Sequence, residues 1–77
     1  METAHLINKA LEGNLDSFNQ IVLEYQDMVY YQAYRVMGEP DAAEDATQEA
    51  FLSAYRKLHT YRGGSFKSWL LRIVTNA

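Results

Sequence analysis

The chain has 77 residues, enough for one domain that buries only about 60% of its unfolded surface. With 48% hydrophobic and 13% aromatic residues it is too apolar for disorder, and the absence of cysteine excludes disulfides and thiolate metal sites. The formal net charge of −3 conceals a split: residues 1–50 hold all ten acids against two bases (−8), whereas residues 51–77 hold five bases and no acid (+5). Charge asymmetry of this kind points to nucleic-acid contact. The basic part also interleaves Tyr61, Phe66 and Trp69 with Arg62, Lys67 and Arg72. Cations of that kind follow phosphates while rings stack on unpaired bases. A solvated basic face over an ordinary aromatic core is the competing reading. No apolar run approaches the length of a membrane span, and the opening Met-Glu-Thr-Ala-His lacks a signal-peptide pattern. A cysteine-free chain of this kind is expected to be soluble and intracellular.

Gly13, Gly38-Glu39-Pro40 and Gly63-Gly64 divide the chain into four apolar-periodic segments, which predicts an all-α, compact bundle of four helices. The first helix is expected over residues 4–12, with Leu6, Ile7 and Leu11 as core and Gly13-Asn14 closing it. The second is expected over residues 16–37 with Asp16 as N-cap. Phe18, Val22, Tyr25, Val29, Ala33 and Val36 form one stripe, while Leu23, Tyr30 and Tyr34 form another nearly opposite. Such a helix is either central to the bundle or carries a binding patch.

The third helix starts at Pro40-Asp41, where Asp41 and Glu44 resemble a capping box. Ala43, Thr47, Ala50, Phe51, Ala54 and Leu58 project onto one face, the expected core. Asp45, Gln48, Glu49, Leu52 and Arg56 project onto the other. A single exposed leucine is ordinary, but one ringed by polar groups also has the form of a small protein-binding hot spot. After Tyr61-Arg62-Gly63-Gly64, Ser65 is placed to cap a fourth helix from Phe66 to at least Asn76, with Phe66, Leu70, Ile73 and Val74 buried. Trp69, Arg72 and Asn76 share one side of it at i, i+3 and i+7. That helix looks unfinished at Ala77, so the chain is expected to be the N-terminal piece of a longer protein.

No catalytic constellation is present. His5 and His59 lie in different segments without metal-ligand spacing. Asp45 and Glu49 are one turn apart like many solvent-facing pairs, and Gly63-Gly64 lacks the strand and lysine of a phosphate-binding loop. The residues point to binding, with no cofactor and no metal.

Asp45-Ala46-Thr47-Gln48-Glu49-Ala50-Phe51, Ala54-Tyr55-Arg56, Tyr61-Arg62-Gly63, Ser65-Phe66 and Trp69-Leu70, in this order and spacing, resemble the second conserved region of bacterial RNA polymerase sigma factors. Asn14-Leu15-Asp16-Ser17-Phe18, Tyr25-Gln26 and Gly38-Glu39-Pro40-Asp41-Ala42-Ala43-Glu44-Asp45 place the resemblance within the sigma-70 family, in its extracytoplasmic-function (ECF) group. The likeness spans nearly the whole chain and implies a two-domain bacterial cytoplasmic factor, of which this is the first domain.

The resemblance also implies roles. The third helix of such domains binds the coiled coil at the clamp of the largest subunit of core RNA polymerase, which gives that role to Asp45, Gln48, Glu49, Leu52 and Arg56. The basic block corresponds to the part that melts the promoter −10 element and holds its non-template strand. Lys57, Arg62, Lys67 and Arg72 would meet phosphates. The loop of Tyr61, Arg62, Gly63, Gly64 and Ser65 would capture a flipped base, with Asn76 lining the pocket. The loop is one residue shorter than in some members, which puts the base preference in doubt. Where housekeeping members carry adjacent tryptophans this chain has Trp69-Leu70, so weaker melting is expected; core packing and base stacking both remain open for Trp69. The rival reading is a helical interaction module whose main ligand is a regulator such as an anti-sigma factor, with Leu23, Tyr30 and Tyr34 as its contact.

Overall fold

The computed structural model describes residues 2–76 and contains α1 (Glu2–Leu11), α2 (Leu15–Met37), α3 (Pro40–Lys57), a 3-10 turn (Leu58–Thr60) and α4 (Phe66–Asn76). Ala77, where the last helix was expected to break off, lies outside the described residues. The four expected helices are present, and α2 is central, touching α1, α3 and α4.

In α1 the buried positions are Ile7 and Ala10, while Leu11 is 48% exposed, contrary to expectation. Among the described elements the helix meets α2 and the 3-10 turn, so a narrow stripe of i and i+3 positions suffices and the next residue turns outward. The cap of α2 is Asn14 rather than Asp16: its Oδ1 accepts from the Ser17 N–H at 3.0 Å. Asp16 instead occupies the first turn, where a carboxylate suits the positive end of the helix dipole.

Phe18, Ile21, Val29 and Ala33 are buried along α2, with Val22 and Tyr25 half-buried. Ile21 was not in the expected stripe, and Val36, which was, is 57% exposed. A helix with partners on three sides buries an arc wider than one stripe, and residues 34–41 at the α2–α3 corner are exposed apart from their attachment. Gly38 ends the helix in the left-handed region, φ 75°, with its N–H donating to the Tyr34 carbonyl at 2.7 Å.

Pro40 occupies the first position of α3, where it lacks no needed donor, so the cap falls at Glu39, two residues earlier than the expected Asp41. The Glu39 carboxylate accepts from the Ala42 N–H at 2.7 Å. Ala43, Ala50, Phe51 and Ala54 are buried as expected. Thr47 is half-buried, and its hydroxyl donates to the Ala43 carbonyl at 2.7 Å, which satisfies the one polar group on that face. Leu58 is buried too, but in the 3-10 turn that tightens the end of α3. Ser65 caps α4 by accepting from the Ser68 N–H at 3.1 Å. Phe66, Leu70 and Val74 are buried and Ile73 half-buried.

Gly38→Ala tests the corner. A Cβ there would meet nothing within 4 Å, so the cost is backbone strain alone. The expected loss is about 1 kcal/mol, which lowers the melting temperature by roughly 4–8 °C in a domain of this size. An unchanged melting curve would show that the corner relaxes to another conformation.

Candidate nucleic-acid and protein interfaces

Two surfaces carry the residues singled out in the sequence. The first lies on α3. Asp45, Gln48, Glu49, Leu52 and Arg56 are all exposed, and Leu52 keeps 51% of its surface in solvent. Leu52 is not isolated, however. It borders a groove of about 590 Å³ between α2 and α3, together with Gln48, Leu15, Val22 and Tyr55. Tyr55 is held by an edge-to-face contact with Phe18, ring centroids 4.9 Å apart. Arg56 lies elsewhere, on the rim of a depression formed with Leu11 and His59 at the end of α1. Sequence reasoning missed Leu15 and Tyr55. Tyr55 sits at i+3 from Leu52 and was detectable by projection, but Leu15 was assigned to the turn before an expected cap at Asp16.

The second surface is built by the 61–65 loop, α4 and the end of α3. Gly63 and Gly64 have φ of 95° and 80°, which folds the loop back so that the Tyr61 hydroxyl donates to the Gly64 carbonyl at 2.5 Å. The Tyr61 ring packs edge-on to Phe66 (5.3 Å) and Trp69 (5.6 Å), and Phe66 in turn meets Tyr25 of α2 at 5.5 Å. Tyr61 and Trp69 are therefore half-buried members of a cluster that seats the loop on the core.

The expected nucleic-acid residues fall into two depressions rather than one. Tyr61, Gly63, Gly64, Ser65 and Lys67 line a groove of about 600 Å³ whose opposite wall is α1. Lys57, Trp69, Arg72 and Asn76 line a separate cleft of about 180 Å³ between α3 and α4, completed by Ser53 and Ile73. Asn76, which was expected in the loop pocket, belongs to this cleft. Arg62 is exposed in the loop and lines neither depression. Ser53, at i+4 from Lys57, was legible from helical spacing, whereas nothing local in the sequence brings α1 to the loop. Among the described residues no group of three His, Asp or Glu side chains is placed to hold a metal ion.

A four-helix domain with an apolar groove beside an acidic helix, and a separate basic loop and cleft, has the form of a helical module with two candidate binding surfaces. Residues 21–77 match Sigma-70 region 2, and the chain belongs to that family. Its relatives are ECF sigma factors. It is 42% identical over 65 residues to the ECF RNA polymerase sigma factor SigE of Mycolicibacterium smegmatis, covering 84% of this chain and 25% of that protein. It is 39% identical over 71 residues to SigW of Bacillus subtilis (91% and 38%) and 39% identical over 72 residues to the sigma-E factor of Escherichia coli (92% and 37%). The chain thus spans between a quarter and two fifths of the length of these relatives. Among solved structures it is similar to an engineered region 2 of sigmaE in complex with GTAAAA, with a TM-score of 0.87 at 32% identity over 99% of this chain and 79% of that one.

Tyr61→Phe removes only the bond to Gly64. Amide exchange in the 63–66 segment should accelerate by up to about tenfold, the equivalent of one ordinary hydrogen bond, and the melting temperature should fall by roughly 5–10 °C. Unchanged exchange would mean that the glycines alone hold the loop.

Proposed function

We propose that this chain is the domain of an ECF sigma factor that binds core RNA polymerase and recognises and melts the promoter −10 element by capturing its non-template strand. The observation that carries the reading is the likeness, over 99% of the chain, to an engineered region 2 of sigmaE in complex with GTAAAA, together with the gathering of Lys57, Arg72, Trp69 and Asn76 into one cleft. The mechanism is one of binding and not of catalysis, in the cytoplasm of a bacterium. Strand separation is driven by the free energy of holding the unpaired strand: cations meet phosphates, the Trp69 edge meets a base, and the 61–65 loop receives a base turned out of the stack. On α3, Leu52 and the apolar groove beside it serve as the anchor for the polymerase clamp coiled coil, with Asp45, Gln48 and Glu49 as its polar rim.

A second reading, a module bound mainly by an anti-sigma factor, is favoured by one feature. Tyr34, exposed on α2, stacks on the half-buried Tyr30 with ring centroids 6.2 Å apart, and Leu23 and Tyr31 of the same helix are also exposed. Tyr34→Ala should weaken regulator binding under this reading and leave DNA binding alone.

Fluorescence anisotropy of labelled GTAAAA, with and without core polymerase and across a salt series, tests the main reading. Lys57→Ala and Arg72→Ala should each flatten the slope of log affinity against log salt by about 0.7, the single-strand value for one phosphate contact. Leu52→Asp should abolish the gain in affinity that core polymerase confers and leave polymerase-free DNA binding unchanged. No binding of wild type to single strands at low salt, with or without polymerase, sinks the reading.

A further inference from the structure

The groove between α1 and the 61–65 loop has an apolar floor of Ile7, Tyr25 and Phe66 and a polar rim. Its volume of about 600 Å³ is ample for a nucleobase and part of its sugar. The polar groups of its rim are mostly committed within the protein. The Tyr61 hydroxyl donates to the Gly64 carbonyl, and the Ser65 hydroxyl accepts from the Ser68 N–H at 3.1 Å. On the α1 side, the Thr3 hydroxyl donates to the Glu24 carboxylate at 3.3 Å. Lys67 offers a cation, which suits a phosphate and does not distinguish bases. Gly63 and Gly64 offer backbone only. The Ser65 and Tyr25 hydroxyls can still donate and accept, but through a single oxygen, whereas the exposed amide of Asn8, on the wall facing the loop, presents a donor and an acceptor on two separate atoms, as a base edge does.

We infer that Asn8 of α1 is a specificity-determining residue: its amide reads the edge of the unpaired base that enters the groove, while the 61–65 loop supplies shape and backbone contacts. The inference rests on the proposed single-strand reading and adds α1 to the recognition surface. An amide pairs with a base edge through two hydrogen bonds at once, and a mismatched base leaves one of them unmade. Tyr25 carries another hydroxyl at the groove, on a ring packed edge-on to Phe66, and serves as the control.

The test measures anisotropy binding of the 77-residue chain to GTAAAA and to its single-base variants, for wild type, Asn8→Ala and Tyr25→Phe. Alanine favours an exposed helical position more than asparagine does, so the fold should persist, as circular dichroism would verify. The expected result is that Asn8→Ala compresses the spread between best and worst base at one nucleotide position by about tenfold, with the salt slope unchanged. An unchanged spread, an equal loss for every oligonucleotide, or compression by Tyr25→Phe in place of Asn8→Ala would each overturn the inference while the strand-binding reading stands. If wild type binds none of the oligonucleotides, that reading fails and the inference falls with it.

Discussion

The alanine face of α3 lies in one core cluster with α2, and both candidate surfaces inherit their geometry from that contact. Ala43, Ala50 and Ala54 are 1% exposed or less, as are Val29 and Ala33 of α2. Small side chains allow two helices to approach toward the lower end of the usual 8–10 Å separation. With α3 seated on that face, its two flanks lie beside different neighbours. One flank brings Gln48, Leu52 and Tyr55 toward Leu15 and Val22, and the other brings Ser53 and Lys57 toward Trp69 and Arg72. A larger residue at position 50 would cost about 1–3 kcal/mol in overpacking and would also displace both flanks together. The seating of α3 is thus the shared determinant of two otherwise unconnected surfaces.

The loop depends on a second chain of contacts. Tyr25 of α2 touches Phe66, which touches Tyr61 and Trp69, and Tyr61 closes the loop through Gly64. Phe66 is buried, so a rigid core position lies directly behind the two glycines. The glycines stand in open space, where a Cβ would meet nothing within 4 Å, yet their positive φ angles exclude most other residues. Backbone conformation, rather than crowding, is what requires glycine there. A loop shaped in this way presents its peptide groups without side chains in front of them, and side-chain discrimination falls to the opposite wall.

The helices and most of the core were legible because glycine and proline punctuate the chain and each helix keeps a clear 3.6-residue period. The alanine face of α3 followed from projection alone, and so did the exposure of Leu52. Ser65 caps α4 as expected, but the caps of α2 and α3 were placed wrongly, for a common reason. Asp16 and Asp41 are good capping residues by type, but a residue already inside the first turn cannot cap it, and Asn14 and Glu39 precede the first helical position. Val36 and Leu11 were misread as core because periodicity marks which side a residue faces and not whether a partner reaches that far along. The division of the candidate nucleic-acid residues into a loop groove and an α3–α4 cleft was beyond the sequence. It depends on α1 forming the wall of the groove opposite the loop, which brings together segments about fifty or more residues apart.

The charge split of the sequence acquires a structural meaning on α3. Asp41 stands in its first turn and Arg56 and Lys57 in its last, which the helix dipole favours whatever the partner. The dipole does not account for Asp45 and Glu49, which lie past the first turn on the exposed side. An α-helix is about 10–12 Å across with its side chains, and physiological salt screens charges over about 8 Å. Acids on one side of α3 therefore weaken the field of Lys57 and Arg72 on the other without cancelling it. They repel a nucleic-acid strand from the immediate neighbourhood of Leu52, where desolvating phosphates would be most costly. On the proposed function, one helix serves a protein on one flank and a polyanion on the other, and the acids between them keep the second ligand off the site of the first.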